Sequence, residues 1–176
     1  MLGGSGDDTY VVDSTSDTVT ENSSGGTDII YSSVTFTASN NVENLTLTGS
    51  SNINATGNDL DNILTGNSGA NTLDGGTGDD IINGGEGTDT AVFSDSDNQV
   101  DLRITSSQDT GDGSDTLTSI ENVNAGGGDD TVYGNSGANV LKGEGGADTL
   151  YGNEGNDTLN GGLGDDILDG GDNTDT

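Results

Sequence analysis

A nine-residue pattern of polar and apolar positions recurs along this chain. From Ala125 to Thr176 the copies read AGGGDDTVY, GNSGANVLK, GEGGADTLY, GNEGNDTLN and GGLGDDILD, followed by a partial GGDNTDT. Glycines recur at positions one, two and four, an acid or amide occupies position six, and position eight is aliphatic. Residues seven to nine therefore predict a short strand with its central side chain pointing inward, and the glycines predict a tight turn before it.

The pattern extends over most of the chain and is interrupted twice. The first regular array reads GNDLDNILT, GNSGANTLD, GGTGDDIIN and GGEGTDTAV. Because a repeat of this length cannot bury its apolar side alone, stacked copies predict a solenoid rather than separate globular domains. The segments of this single solenoid are degenerate copies over 1–31, a strand insert over 32–48, the first array over 49–92, a strand insert and lead-in over 93–124, and the second array over 125–176.

The two inserts replace the glycine-led pattern by an alternation of apolar and polar residues. Such alternation predicts a half-buried strand in each insert, without the tight turn of the regular copies. The alternating apolar residues are Val34, Phe36 and Ala38 in the first insert and Val100, Leu102 and Ile104 in the second.

The composition changes this picture because the chain has few apolar residues with which to form a core. Apolar residues make up 26% of the chain and aromatic residues 3%, and the formal net charge is -30, from 32 acidic residues against Lys142 and Arg103. Such values predict a disordered chain unless something cationic accompanies folding. Nucleic acid and anionic membrane are excluded as partners, because both would repel the acidic surface.

Several kinds of site are excluded by residues that the chain lacks. Cysteine and histidine are absent, which removes thiolate metal sites and the commonest catalytic base, so we predict that this stretch is not an enzyme. No apolar run reaches membrane-spanning length. Met1 and Leu2 lead directly into repeat glycines, and Thr176 falls inside a copy, so we expect an export signal elsewhere and a further coil or cap beyond this stretch.

The phrase G-G-x-G-x-D-x-U-x resembles the nonapeptide of the RTX, or haemolysin-type, calcium-binding repeats of secreted bacterial proteins. The resemblance implies an all-β fold, a right-handed parallel β-roll stapled by several Ca²⁺ ions, here with two irregular strand inserts. It further implies that two nonapeptides close one coil, with calcium held between copy n and copy n+2. Ca²⁺ prefers about six to eight oxygen ligands, which carbonyls and carboxylates supply.

The metal ligands that the resemblance implies are the residues at position six. They are Asp8, Asp80, Asp89, Asp130, Asp148, Asp157, Asp166 and Asp175, with the amides Asn62, Asn71 and Asn139 as weaker ligands because they carry no charge. Backbone carbonyls are implied near Gly75, Gly76, Gly78, Gly84, Gly85, Gly87, Gly126, Gly128, Gly134, Gly137, Gly143, Gly146, Gly152, Gly155, Gly161, Gly162 and Gly164. The facing pairs are Asn62–Asp80, Asn71–Asp89, Asp130–Asp148, Asp148–Asp166, Asn139–Asp157 and Asp157–Asp175.

The side chains around the strands of the second array give two further expectations. The predicted core consists of Val132, Leu141, Leu150, Leu159 and Leu168. Tyr133 and Tyr151, eighteen residues apart at position nine, are predicted to stack on the outer surface, with Lys142 on the opposite face. A tyrosine ladder can bind a sugar ring, but two rings make a small platform, so we favour a structural role.

The sequence thus predicts a calcium-binding repeat region that folds on Ca²⁺ binding outside the cell. By the resemblance, it is a structural part of a larger extracellular or cell-surface bacterial protein and is linked to type I secretion. The alternatives are a carbohydrate-binding accessory module of a polysaccharide-active enzyme, with polysaccharide as a partner, and an adhesin or surface-layer segment. The repeat alone does not separate these, because fold does not imply function.

Overall fold

Short strands follow the nine-residue pattern throughout the computed structural model, which describes residues 1–176. They form a parallel β-solenoid of about nine turns. The predicted fold class is therefore confirmed. No helix of the structure is long and apolar enough to cross a membrane.

Eighteen strands make up the solenoid, most of them only three or four residues long. In chain order they are β1 (Thr9–Val12), β2 (Ile29–Ser32), β3 (Phe36–Thr37), β4 (Asn44–Leu47), β5 (Ala55–Thr56), β6 (Ile63–Thr65), β7 (Thr72–Asp74), β8 (Ile81–Asn83), β9 (Thr90–Val92), β10 (Gln99–Asp101), β11 (Gln108–Asp109), β12 (Ser114–Thr118), β13 (Asn122–Asn124), β14 (Thr131–Tyr133), β15 (Val140–Gly145), β16 (Thr149–Tyr151), β17 (Thr158–Leu163) and β18 (Ile167–Asp169).

The strands alternate between sheets that enclose one core. One sheet has the order β1-β2-β4-β6-β8-β12-β11, a second has the order β17-β15-β13-β9-β7-β5-β3, and the third has the order β10-β14-β16-β18. Within the arrays the partners are eighteen residues apart, as in the pairs Leu64–Ile82 and Leu141–Leu159. Two nonapeptides therefore close one coil, as predicted.

The core is a single cluster of 23 buried residues that runs through both arrays and both inserts. Of the predicted core residues, Val132, Leu141 and Leu150 are fully buried and Leu159 is partly buried. The prediction for Leu168 is wrong, because its side chain is 48% exposed. It lies on β18, which is the last strand of its sheet and has no further strand stacked on it.

The strands in the inserts are shorter than the alternation predicts. In the alternating stretch 33–39 of the first insert only β3 is a strand; Ala38 is buried, whereas Val34 and Phe36 are partly buried. In the second insert Val100 and Leu102 are buried, but Ile104 is exposed, so that part of the prediction is wrong. The chain turns after β10, where the Ile104 N–H donates to the carbonyl of Asp101 at 3.1 Å, and this turn carries Ile104 away from the core.

The second insert also contains a hairpin that breaks the parallel arrangement. β11 pairs antiparallel with β12, while β12 pairs parallel with β8 and β10 pairs parallel with β14. β11 also contacts β10, since the Asp101 N–H donates to Oε1 of Gln108 at 2.8 Å, and just after β11 the Thr110 carbonyl accepts the Gln99 N–H at 3.0 Å. The extra strand therefore lies between the two arrays.

Candidate metal centre

The position-six residues form two columns, one at each edge of the solenoid, because each of them except Asp175 directly precedes a strand. One column contains Asp8, Asp28, Asn62, Asp80, Asn98, Asp130, Asp148 and Asp166, and the other contains Asn71, Asp89, Asn139, Asp157 and Asp175. Most are buried; Asp8, Asp166 and Asp175, in the end coils, are half-buried.

A hydrogen-bond ladder joins the members of each column. The backbone N–H of Asp130 donates to Oδ1 of Asp148 at 2.9 Å, and the N–H of Asp148 donates to Oδ1 of Asp166 at 3.0 Å. The other predicted pairs are joined in the same way, Asn62–Asp80 at 2.7 Å, Asn71–Asp89 at 2.7 Å, Asn139–Asp157 at 2.8 Å and Asp157–Asp175 at 3.0 Å. The structure thus brings together every pair expected from the sequence.

The second carboxylate oxygen of these aspartates has no partner within the protein. Oδ2 is buried and makes no hydrogen bond in Asp28, Asp89, Asp130, Asp148 and Asp157. A buried carboxylate oxygen without a partner is costly, and buried charges are ordinarily paired or coordinate metals. Since the chain has only two basic side chains, a bound cation is the natural partner for these oxygens.

Glycine at position one creates the space in front of the free oxygen of Asp89, Asp148 and Asp157. A Cβ atom on Gly143 would collide with Oδ2 of Asp148 and would lie 2.7 Å from the carbonyl oxygen of Gly161. Gly152 faces Oδ2 of Asp157 and the Gly170 carbonyl in the same way. Carboxylate and carbonyl oxygens therefore converge on a space without side chains, and this oxygen-only donor set fits Ca²⁺.

Position two shapes the same turn through its backbone. Gly126 and Gly162 have φ angles of 93° and 102°, in the left-handed region that glycine enters without strain. Glu144 and Asn153 occupy this position in two copies with φ angles of 72° and 74°. These two copies therefore keep the left-handed residue without glycine, whereas Asn58, Asn67 and Asn135 at the same position have no positive φ.

The asparagines of the columns have a different environment from the aspartates. Each lies at the foot of a stack, directly above an irregular coil, and its side-chain amide donates to a carbonyl of that coil. These bonds are Asn62 to Val42 at 3.1 Å, Asn71 to Ile53 at 2.6 Å, Asn98 to Thr110 at 3.1 Å and Asn139 to Glu121 at 2.7 Å. Asparagine thus begins each stack because it supplies a donor that aspartate lacks.

This geometry changes the interpretation of three predicted ligands. In Asn62, Asn71 and Asn139 the side-chain oxygen also accepts a backbone N–H of its own turn, at 2.7, 2.8 and 2.9 Å. Their polar groups are therefore satisfied within the protein. They lack the free oxygen that marks the aspartates, and we assign them a structural role.

Replacing Asn139 by aspartate is expected to destabilise the fold, although it adds a carboxylate. The Glu121 carbonyl would lose its donor and face a carboxylate oxygen, at a cost of about 1–3 kcal/mol. Urea unfolding at saturating Ca²⁺ measures this change. Asn156→Asp is the matched control, because Asn156 is exposed and its oxygen accepts the Thr174 N–H, a role that aspartate keeps. A more stable Asn139→Asp variant that binds an additional ion would contradict the structural role.

Four acidic residues in these columns were not among the predicted ligands: Asp28, Glu43, Asp115 and Glu121. The Asp28 N–H donates to Oε2 of Glu43 at 2.7 Å, and the Asp89 N–H donates to Oε2 of Glu121 at 2.8 Å. Both glutamates therefore take the place of a position-six aspartate in an irregular coil. Their signal in the sequence is the phrase Val-Glu-Asn-Leu, which recurs as Ile-Glu-Asn-Val ahead of the second array.

Asp115 differs from the other column aspartates because it is satisfied without an ion. Its Oδ1 accepts the Asp80 N–H at 2.8 Å, and its Oδ2 accepts the hydroxyl of Thr110. Thr110 is brought there by the hairpin between the arrays, which the sequence pattern does not reveal. Asp115 is therefore a member of the column in which neither carboxylate oxygen is free.

Burial shifts the proton affinity of several column aspartates. It raises the pKa of Asp130 to about 7, with repulsion from Asp148 adding to the rise and a hydrogen bond from the Asn98 N–H opposing it. It raises the pKa of Asp80 to about 6, again against the hydrogen bond from the Asn62 N–H. The pKa values of Asp89 and Asp148 are raised for the same first reason.

These shifts predict that mild acid favours the calcium-free fold. The unfolded carboxyl has a pKa of about 3.9, so between about pH 4 and pH 7 the folded chain binds more protons than the unfolded chain. Stability from this source is present at low pH and is lost as pH rises through the folded pKa. In excess chelator, far-ultraviolet circular dichroism should therefore show more β structure at about pH 5 than at about pH 8. Equal or falling β signal on acidification would contradict the prediction.

The predicted tyrosine ladder is present on the outer surface. The rings of Tyr133 and Tyr151 are stacked, with centroids 4.8 Å apart and planes 7° from parallel. The guanidinium of Arg103 lies 4.6 Å from the Tyr133 centroid and is held by Asp101 at 2.7 Å. Lys142 lies on β15 in the other sheet, as expected. Both faces of Tyr133 are therefore covered, a feature that the sequence did not reveal because Arg103 lies in the second insert.

The fold and the columns define a class of protein, a parallel β-solenoid whose glycine-lined turns present aligned aspartate oxygens to a metal. The sequence model described as the RTX calcium-binding nonapeptide repeat, in four copies, matches residues 56–91, 120–150 and 142–176. These ranges include more than half of the chain, so the chain belongs to this family of calcium-binding repeats. No curated protein matches the chain.

Proposed function

We propose that this chain is a structural repeat region that is unfolded inside the bacterial cell and folds when it meets Ca²⁺ outside it. The observation that carries the proposal is the pair of columns in which buried aspartate oxygens lack a protein partner. Without an ion, folding would bury this charge uncompensated. With an ion, the binding free energy contributes directly to folding, because the unfolded chain has no assembled site.

The binding strength expected of such sites supports the proposed location outside the cell. Extracellular calcium modules bind with dissociation constants of about 10⁻⁴ to 10⁻³ M, whereas cytosolic buffers bind with about 10⁻⁹ to 10⁻⁸ M. Each site here is assembled from separate coils that must stack before it exists, which lowers the apparent affinity. A chain that stays unfolded until it is exported suits a role linked to secretion within a larger polypeptide.

A calcium titration tests this proposal. Far-ultraviolet circular dichroism should show the gain of β structure with a midpoint between about 0.1 and 1 mM Ca²⁺. A midpoint in the submicromolar range would mean that the chain folds inside the cell, and the proposed role outside it would then be wrong.

The carbohydrate-binding alternative depends on the tyrosine ladder. Sugar stacking needs free aromatic faces, and Arg103 and Tyr151 cover the two faces of Tyr133, which leaves at most the far face of Tyr151. The ladder therefore supports the stacking of coils, and we do not extend the proposal to polysaccharide. We also propose no catalytic role for this stretch, because the column aspartates have a structural reason for each position.

A further inference from the structure

Three carboxylates converge in the N-terminal coils, outside the residues that match the repeat family. Asp8, Glu21 and Asp28 each place one carboxylate oxygen within 4.8 Å of the other two. Asp8 and Asp28 belong to degenerate copies, but Glu21 lies outside position six of any copy. Asp8 and Asp28 continue the column of the arrays, and the cluster differs from the array sites by the third carboxylate, from Glu21.

The side chain of Asp28 gives independent support for a ligand at this cluster. Asp28 is fully buried, and its Oδ2 has no hydrogen-bond partner. Its Oδ1 already accepts the Asp8 N–H at 2.7 Å, so the carboxylate is fixed and the free oxygen has a defined direction. A Cβ atom on Gly25 would lie 3.1 Å from this oxygen and 2.8 Å from Oε2 of Glu21. The free oxygen therefore points into the space that Glu21 also borders.

Glu21 is itself held in place by neutral donors. Its side chain is 7% exposed, the buried hydroxyl of Tyr10 donates to its Oε1, and the N–H of Asn22 donates to its Oε2 at 3.0 Å. The ion pair between Arg103 and Asp101 is the one ion pair of the chain, so no basic side chain pairs with the cluster. Three carboxylates are thus assembled around one space without a positive protein group.

We propose that Asp8, Glu21 and Asp28 bind a calcium ion that closes the N-terminal coils onto the solenoid. The choice of calcium among hard cations rests on the proposed function, whereas the site rests on its own three carboxylates. Because Asp8 precedes β1 and Asp28 precedes β2, the ion ties together two coils whose partners are twenty residues apart, as in the pair Thr9–Ile29. The ion would thus hold together two coils whose copies lack the regular eighteen-residue spacing of the arrays.

Tyr10 makes this site separately measurable. The chain has no tryptophan and four tyrosines, and the Tyr10 hydroxyl contacts the proposed ligand Glu21. In the Tyr31→Phe, Tyr133→Phe, Tyr151→Phe triple variant, only Tyr10 can sensitise the luminescence of bound Tb³⁺. We expect Tyr10-sensitised emission in this variant, and we expect Ca²⁺ to displace it.

Charge-neutralising variants in this background decide the assignment. Glu21→Gln keeps an oxygen for the Tyr10 hydroxyl and should lower the emission at least about tenfold at fixed Tb³⁺, because the site loses charge. Asp8→Asn should do the same, and since Asp8 is only half-buried, this variant keeps the test valid if Glu21→Gln does not fold. Asp13→Asn is the matched control, because Asp13 is exposed in the same segment, and it should leave the emission unchanged.

Two results would overturn the site. One is the absence of Tyr10-sensitised emission at Tb³⁺ concentrations that fold the chain. The other is equal emission in Glu21→Gln, Asp8→Asn and Asp13→Asn. Circular dichroism of the same samples reports on the arrays, so a failure of metal-dependent folding is distinguished from a failure of this site.

Discussion

Removal of calcium is expected to unfold most of this chain. The net charge is -30, and one thin cluster of 23 buried residues forms the whole core. Without an ion, five buried aspartate oxygens remain unpaired and their carboxylates repel one another along the columns. The apolar cluster alone does not offset the loss of conformational entropy and the burial of unpaired charge, because each strand contributes mainly one inward side chain.

Far-ultraviolet circular dichroism at about pH 7.5, with excess chelator and then with millimolar Ca²⁺, measures the effect. We expect loss of most of the β signal in chelator and its recovery with Ca²⁺. Mg²⁺ at the same concentration is the control ion, and it should restore little signal because it demands octahedral geometry and releases its waters reluctantly. A strong β signal that persists in chelator would show that the columns do not need a metal.

The second large effect is expected from Asp148→Asn. Asp148 lies between Asp130 and Asp166, and its free oxygen faces Gly143 and the Gly161 carbonyl. Asparagine keeps the oxygen that accepts the Asp130 N–H but can place an amide donor, rather than an oxygen, in the metal space. We expect the calcium midpoint of folding to rise at least about tenfold and the calorimetric stoichiometry to fall by one ion or more.

Asp165→Asn provides the control for Asp148→Asn. Asp165 carries the same charge in the next coil but is exposed at position five. Its substitution removes general negative charge without touching a column, so the midpoint should change less than about twofold. Equal effects of the two substitutions would mean that overall charge, rather than the column geometry, controls calcium binding.

The regular part of the fold could be predicted from sequence because the repeat encodes it locally. Glycines fix the turns, one aliphatic residue fixes the inward face, and the eighteen-residue register follows once two copies form a coil. The column pairs Asp130–Asp148 and Asp157–Asp175 are direct consequences of that register. The pattern does not show whether a given side chain forms a hydrogen bond with a distant segment of the chain.

The residues that sequence reasoning missed, and the different role of the predicted ligand Asn139, depend on contacts between distant segments. Asn139 is a donor because the Glu121 carbonyl lies beneath it, and Asp115 is satisfied because the hairpin brings Thr110 to it. Glu21 joins the N-terminal cluster through an irregular turn rather than through the nine-residue register. Each of these contacts is set by the irregular coils, where local sequence does not determine the path of the chain.

The hairpin between the arrays has a consequence for the propagation of folding. In a solenoid, order spreads between nearest neighbours, so each folded coil templates the next. At the level of Asp115 one column continues through the Thr110 hydroxyl, and at the level of Asn139 the other column restarts through an amide. In both links a neutral protein donor occupies the acceptor oxygen, so the calcium sites on the two sides of the boundary share no ligand. One sheet and the apolar core still run through both arrays, so we expect two folding units that are coupled through the core but share no metal ligand, and each array should reach half-saturation at its own calcium concentration.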